Sequence, residues 1–233
     1  MKVFAISDLH LPGRSDKPMN VFGQIWDGYD EKIRQSWAEK VSDDDIVLLS
    51  GDLSWAMRME DVVDDVEYVN SMKGKKVILK GNHDYWWQTI SKVRAMLPND
   101  MYAIQNDCIR FGNVLICGSR GWTCPNTIDF TKDDEKIYLR ETERLRLSMK
   151  QMQSMRQDGD KVIAMMHFPP FNVKRENSNF TDIFEEFGVE NVIYGHLHGK
   201  DSLSIKKVTR GGVNYYLTSC DLCNFELQNI DID

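Results

Sequence analysis

No run in this 233-residue sequence approaches the roughly 18 consecutive apolar residues that a membrane-spanning helix needs. The N-terminus, MKVFAISDLH, meets Asp8 too early for a signal peptide. Both absences predict a cytoplasmic protein with no membrane partner. Positive charge is also short: 29 Lys and Arg stand against 36 Asp and Glu, a net charge of -7. The long-range field therefore repels polyanions, which argues against nucleic acid as a partner, although a small anion can still be bound locally. Cysteine is scarce and odd in number, at 108, 117, 124, 220 and 223. Its irregular spacing fits reduced, mostly buried thiols better than a disulfide framework. Repeats, low-complexity tracts and linkers are absent, so one domain over residues 1–233 is expected.

What the sequence does have is one recurring form. A charged or polar start leads into a short β-prone apolar run, which gives way abruptly to polar, glycine-containing sequence. The form occurs in KVFAIS before Asp8, DIVLLS before Gly51, KKVILK before Gly81, KVIAMM before His167 and NVIY before Gly195. Unbroken apolar runs of this length predict strands covered on both faces. Helical patterns separate the first three: Trp26 to Lys40, then Met59, Val62, Val63, Val66 and Val69, then Tyr85 to Met96. Such alternation predicts a largely parallel sheet. After Pro98, MYAIQN, CIRF and VLICGS, with turn signals at QNDC and FGN, predict antiparallel pairing and the start of a second sheet. Residues 133–158 form the longest helix-favouring stretch, with methionines as core-facing filler. Strands return at 161–166, 191–194, 203–208, 213–219 and 225–230, which completes a mixed α/β chain.

Ligands of open α/β sheets bind beyond the carboxyl ends of strands. All five histidines fall there: SDLH carries Asp8 and His10, GNHD carries Asn82, His83 and Asp84, MHFPP carries His167, and GHLHG carries His196 and His198. The second strand runs into Gly51 and Asp52. One histidine after a strand is ordinarily a hydrogen-bonded surface or core residue, and Gly-Asp is ordinary turn chemistry. Jointly, ends that supply only His, Asp and Asn are better explained by a shared metal site. In an extended chain, His196 and His198 project to the same side and could grip one ion or two neighbouring ones. Nitrogen and oxygen donors without thiolate suit Mn, Fe, Zn, Co or Ni rather than a structural cysteine-zinc site.

The ordered set DLH, GD, GNHD, a lone His and GHLH resembles the calcineurin-like metallophosphoesterase superfamily from Asp8 to His198, most of the chain. That resemblance implies an α/β fold of two mixed β-sheets packed as a sandwich and flanked by helices, αββα, with a dimetal site at one edge. It implies one ion held by Asp8, His10, Asp52 and His198, and a second by Asp52, Asn82, His167 and His196, with Asp52 bridging. The implied reaction is hydrolysis of a phosphomonoester or phosphodiester, on a small phosphoester that could include a nucleotide.

Phosphate esters are anionic and repel nucleophiles. Two dications about 3.5–4 Å apart can share a bridging water, bring its pKa toward about 7, and clamp the phosphoryl oxygens. Their charge exceeds that returned by Asp8 and Asp52, so the site is expected to be locally cationic. His83, next to a ligand but not itself a ligand, is the candidate to protonate the leaving oxygen or stabilise its charge. Asp84 either orients His83 or caps the loop.

The Ser/Thr protein phosphatase branch has an Asp three residues after the second motif and an Arg before the third. Here Trp55 and Lys80 stand at those positions, and the motifs look closer to bacterial phosphodiesterases and broad phosphohydrolases. Tyr85, Trp86 and Trp87, with Arg120 and Trp122, either line a pocket for a planar group or bury themselves in the core. Arg120 and Arg14 are candidate phosphate contacts. Two rival readings are a non-catalytic metal-binding or scaffold protein on this fold, and a thiol redox protein built on Cys220 and Cys223.

Overall fold

The computed structural model describes residues 1–14, 18–199 and 205–232. The first sheet takes β1 (Val3–Ile6), β2 (Ile46–Leu49), β3 (Lys75–Leu79) and β4 (Met101–Ile104) in parallel. The crossovers are α1 (Tyr29–Lys40), α2 (Val63–Asn70) and α3 (Ile90–Met96). In the second sheet β5 (Cys108–Phe111) pairs antiparallel with β6 (Val114–Gly118), and β7 (Lys161–Met165) and β8 (Asn191–Tyr194) continue in parallel. Its crossovers are α4 (Lys132–Met155) and α5 (Asn179–Glu186). The antiparallel pair β9 (Lys207–Arg210) and β10 (Val213–Leu217) completes it through β10 beside β8, and β11 (Gln228–Ile230) returns to pair with β1. The strand orders are β11-β1-β2-β3-β4 and β5-β6-β7-β8-β10-β9.

Side-chain alternation sorts these strands into four layers. Val3, Ala5, Ile46, Leu48 and Val77 meet Ile116, Ile163, Met165 and Ile193 between the sheets. Phe4, Ile6, Val47 and Leu49 turn outward onto Ile33, Trp37 and Val66 of the helices. On the far side, Val162, Ala164 and Val192 pack on Leu145, Met149 and Phe184. With both faces of each sheet covered, the strands read as unbroken apolar runs. This is the expected two-sheet αββα sandwich. All five cysteines are free and buried, and among the described residues no helix is long and apolar enough to cross a membrane.

Several elements differ from expectation. MYAI joins the first sheet parallel to β3, so QNDC is a crossing between sheets, and only CIRF and VLICG make the hairpin. Helix α3 begins at Ile90 rather than Tyr85, because the Trp86 indole N–H donates to Asp84 at 3.0 Å and holds that stretch in turns. Trp26 ends a short 3-10 turn, and α1 starts behind left-handed Gly28. The last strand spans only residues 228–230, since Asn224 and Phe225 are both left-handed. Residues 203 and 204 of the strand expected at 203–208 lie outside the described residues.

The sheets are stitched together where the polar loops gather. Just beyond β1, the Ser7 N–H donates to Thr218 O at 2.8 Å and the Cys220 N–H to Ser7 O at 3.1 Å, a bridge between the end of the first sheet and the end of β10. The loops after β1, β2, β3, β7, β8 and β10 therefore share one edge of the sandwich.

Candidate metal centre

The loops after the strands are sharply bent. Asp8, His10, Asp52 and His196 all have positive φ, at 59°, 45°, 51° and 70°. Each such residue stores on the order of 1 kcal/mol or more, and it persists only where its surroundings hold it. Here the first two loops clamp each other: the Asp8 N–H donates to Gly51 O, His10 N–H to Asp52 O and Leu11 N–H to Leu53 O, each at 3.0 Å. Glycine is required where loops touch. A Cβ on Gly51 would come within 2.6 Å of His167 Nδ1, and one on Gly81 or Gly195 would overlap the Asp52 or Asp8 carboxylate.

Within this frame the side chains form two halves around two buried carboxylates. Asp8, His10 and His198 present donor atoms within 4.8 Å of one another, and so do Asp8, Asp52 and His167. In the first half, His198 Nε2 lies 3.4 Å from Asp8 Oδ1 and 3.5 Å from His10 Nε2. In the second, Asn82 Oδ1 is 2.6 Å from His167 Nε2 and 2.9 Å from His196 Nδ1. Asp52 Oδ2 stands between the halves, 3.8 Å from His10 Nε2 and 3.4 Å from His167 Nε2. Asp52 Oδ1 accepts the His83 backbone N–H at 2.8 Å, while Oδ2 is fully buried without a hydrogen bond. With only the His10 and His167 imidazoles to answer it, this buried carboxylate oxygen is placed to accept a cation. The donor set therefore fits hard or borderline divalent metals.

Electrostatics agree. Burial alone would raise Asp8 and Asp52, yet the facing imidazoles hold both below the usual carboxylate range. Burial would lower His167 and His198, but carboxylates lift His167 to about 9 and His198 to about 10. Asp52 dominates for His167, and Asp221 and Asp8 for His198. Burial pushes His10 and His196 down to about 4, so these two are neutral at physiological pH. Tautomers are set from behind, as metal-ligating histidines require: His167 Nδ1 lies 2.9 Å from Ser50 O, and His198 Nδ1 lies 3.0 Å from Asp221 Oδ1.

Sequence reasoning misses Asp221. Its signal is present, a polar residue straight after a strand, but it sits inside CDLC, where the cysteines point toward redox chemistry. The Cys220 Sγ instead donates to Asp8 O at 3.0 Å, and burial raises both thiols, Cys223 to about 11. A redox nucleophile needs the opposite shift.

His83 is brought to the first half, 5.7 Å from the His10 ring and 4.9 Å from the Trp55 ring. Asp84 turns its carboxylate into the loop backbone. It accepts from the N–H groups of Asp52 and Leu53 at 2.9 Å, from Gly81 at 2.7 Å and from the Trp86 indole. Its burial, and then the charge of Asp52, raise it to about 6. Of the two roles considered for Asp84, the geometry shows loop bracing.

The other candidates lie farther out. The Arg120 guanidinium sits 4.9 Å from the Trp122 ring and 3.8 Å from Glu141, while its carbonyl accepts the His167 and Phe168 N–H groups at 3.1 Å. The Trp122 indole donates to Asp134, and its ring packs 4.8 Å from Phe168, which lies 4.1 Å from His196. Arg14 pairs with Asp64 on an exposed surface, at 3.3 Å. Trp86 and Trp87 are core residues, 1% and 5% exposed. Two cavities open on the centre, one of about 650 Å³ against His10, His83 and His198, and one of about 340 Å³ against His196. Neither is lined by Arg14, Arg120 or Trp122. A third, acidic cavity of about 550 Å³ beside Asp64 and Asp65 touches none of the histidines.

A family model described as calcineurin-like phosphoesterase matches residues 1–200. No curated protein matches significantly in sequence. Among solved structures, the fold is similar to TT1561 of Thermus thermophilus, at 12% identity and a TM-score of 0.61 over 99% of this chain and 98% of that one. It is also similar to phosphopantetheinyl hydrolase (PptH) from Mycobacterium tuberculosis, at 13% identity and a TM-score of 0.60, covering 100% and 96%. AQ665 from Aquifex aeolicus, a protein of unknown function, matches at 12% identity and a TM-score of 0.54, covering 98% and 95%.

Proposed function

We propose, from the premise that this chain belongs to the calcineurin-like phosphoesterase family, that it hydrolyses a small phosphomonoester or phosphodiester with two divalent metal ions. Asp8, His10, Asp52 and His198 would hold one ion, and Asp52, Asn82, His167 and His196 the other. The observation that carries this reading is Asp52 Oδ2, buried between the two sets of donors without a hydrogen bond. When bound, the ions supply positive charge for the phosphoryl oxygens and an activated water at neutral pH.

The chain supplies the rest. Asp84 ties the loops after β2 and β3 into one body, which fixes Asp52 and Asn82 relative to each other. Ser50 and Asp221 hold His167 and His198 in the tautomers that leave Nε2 toward the centre. His83, whose ring borders the larger cavity, delivers the proton to the leaving oxygen or stabilises its charge. The hydrolase named among the structural neighbours is consistent with this reaction class.

The test is chelation followed by refilling with Mn, Fe, Zn, Co or Ni, with matched aryl phosphate monoester and diester as substrates. Hydrolysis should vanish on chelation and return with metal. If two ions bind but no ester is cleaved with any of them, the chain is a metal-binding protein on this fold.

A further inference from the structure

The larger cavity has a one-sided chemistry. It opens onto His10, His83 and His198, and its remaining walls are mainly apolar. Trp55 lies flat against His10, with ring centroids 4.6 Å apart at 22°, and Trp26, 5% exposed, meets the same imidazole edge-on at 6.4 Å. At the mouth, Phe22 and Ile25 stand on the two 3-10 turns Met19–Phe22 and Gln24–Trp26, 66% and 41% exposed. Among the described residues, no lysine or arginine lines the chamber. The one carboxylate among its described walls, Asp221, is engaged by His198 Nδ1 and the Gly199 N–H at 3.0 Å each.

In phosphoester hydrolysis, water adds its oxygen to phosphorus, and the ester P–O bond breaks with its electron pair passing to the alcohol oxygen, which takes up a proton. His83 lines this chamber, so the alcohol leaves on this side. We propose that the chamber binds the leaving group and selects an uncharged apolar or aromatic alcohol, so that the phosphoryl group is the only anionic part of the substrate. A second anion placed there would lose water, find no lysine or arginine among the described walls, and face Asp221. An aromatic ring would exchange water for Trp26, Trp55 and Phe22. This inference rests on the phosphoesterase reading, and it deepens that reading by naming the leaving-group class.

Non-hydrolysable phosphonates test it without turnover. Methylphosphonate, benzylphosphonate and phosphonoacetate would be titrated into manganese-loaded protein, followed by calorimetry and by tryptophan fluorescence, to which Trp26 and Trp55 contribute. Benzylphosphonate should bind roughly tenfold or more tighter than methylphosphonate, and phosphonoacetate no tighter than methylphosphonate. Phe22→Ala and Ile25→Ala should each shrink the benzyl-to-methyl ratio several-fold, while Phe22→Leu keeps most of it. Equal binding of benzyl and methyl compounds, or tightest binding of phosphonoacetate, overturns the leaving-group inference and leaves the phosphoesterase reading standing. Binding of none of the three overturns both.

Discussion

The two halves of the centre are built from similar side chains but face different surroundings. His198, in the first half, is about one-third exposed and sits under the 650 Å³ chamber with a carboxylate behind it. His167, in the second, is fully buried, backed by a main-chain carbonyl, and its neighbour His196 is covered by Phe168. Under the proposed reaction, this difference would have the first half meet the leaving group and the second anchor. Exchange of metal should therefore be faster from the first half.

In the proposed ligand sets Asp52 is the residue shared by both ions, so Asp52→Asn is the most severe way to test the comparison. Removing its charge should empty both sites together and lower activity by more than the roughly hundredfold that loss of a partner behind a ligand costs. Metal analysis beside turnover measures it. Retention of one ion would place Asp52 in a single half and end the bridging role.

His83→Ala sharpens the same contrast from the substrate side. Both ions should stay, and turnover should fall by about 10²–10⁴-fold. The loss should be smaller for esters of acidic phenols, whose oxygen needs no proton. Wild-type activity in this variant would move the acid, and with it the leaving group, to the other half.

Acidity comes next. Protons and metals compete for the same nitrogen lone pairs. In chelated protein His167 holds its proton up to about 9 and His198 up to about 10, whereas Asp8 and Asp52 are held below the usual range and are already ionised at neutral pH. Raising the pH from 6 to 8 should thus strengthen metal binding, by about tenfold per unit for each proton displaced, and the gain should fade once the pH passes those values. Titration calorimetry in buffers of different ionisation enthalpy counts the protons released. Affinity that is flat over this range would mean the two imidazoles are already neutral.

Much of this centre was legible in the sequence, and the reason is structural. Strands covered on both faces lose their alternation and stand out as short apolar runs, and the polar residues at the end of each run are forced to the same edge of the sandwich. That rule located Asp8, His10, Asp52, Asn82, His83, His167, His196 and His198, which the fold brings to that edge. Long-range pairing left no such mark: QNDC reads as a turn whether the chain doubles back or crosses to another sheet, and β4 went to the first sheet. The direction of a side chain was equally hidden. Asp84 comes directly after His83 in GNHD, yet its carboxylate turns into the loop backbone and draws the Trp86 indole with it. Trp55 registered only as a departure from the protein phosphatase pattern, because its stacking on His10 depends on two loops meeting in space.

Asp221→Asn is the mildest test and the one most specific to the first half. The asparagine oxygen can still accept from His198 Nδ1, so the tautomer survives and only the charge behind the imidazole is lost. With less negative charge to support it, His198 becomes a weaker ligand and also a weaker base, since the Asp221 contact is among the forces that lift it to about 10. Partners behind metal-bound histidines are worth about tenfold to a hundredfold in affinity, and preserving the hydrogen bond places this change near the lower figure. One ion should therefore weaken by about tenfold, while the ion held by Asn82, His167 and His196 is unaffected. Stepwise metal release by a chelator, measured against wild type, separates the two. Equal weakening of both ions would show that the halves communicate through the shared carboxylate more strongly than their separate surroundings divide them.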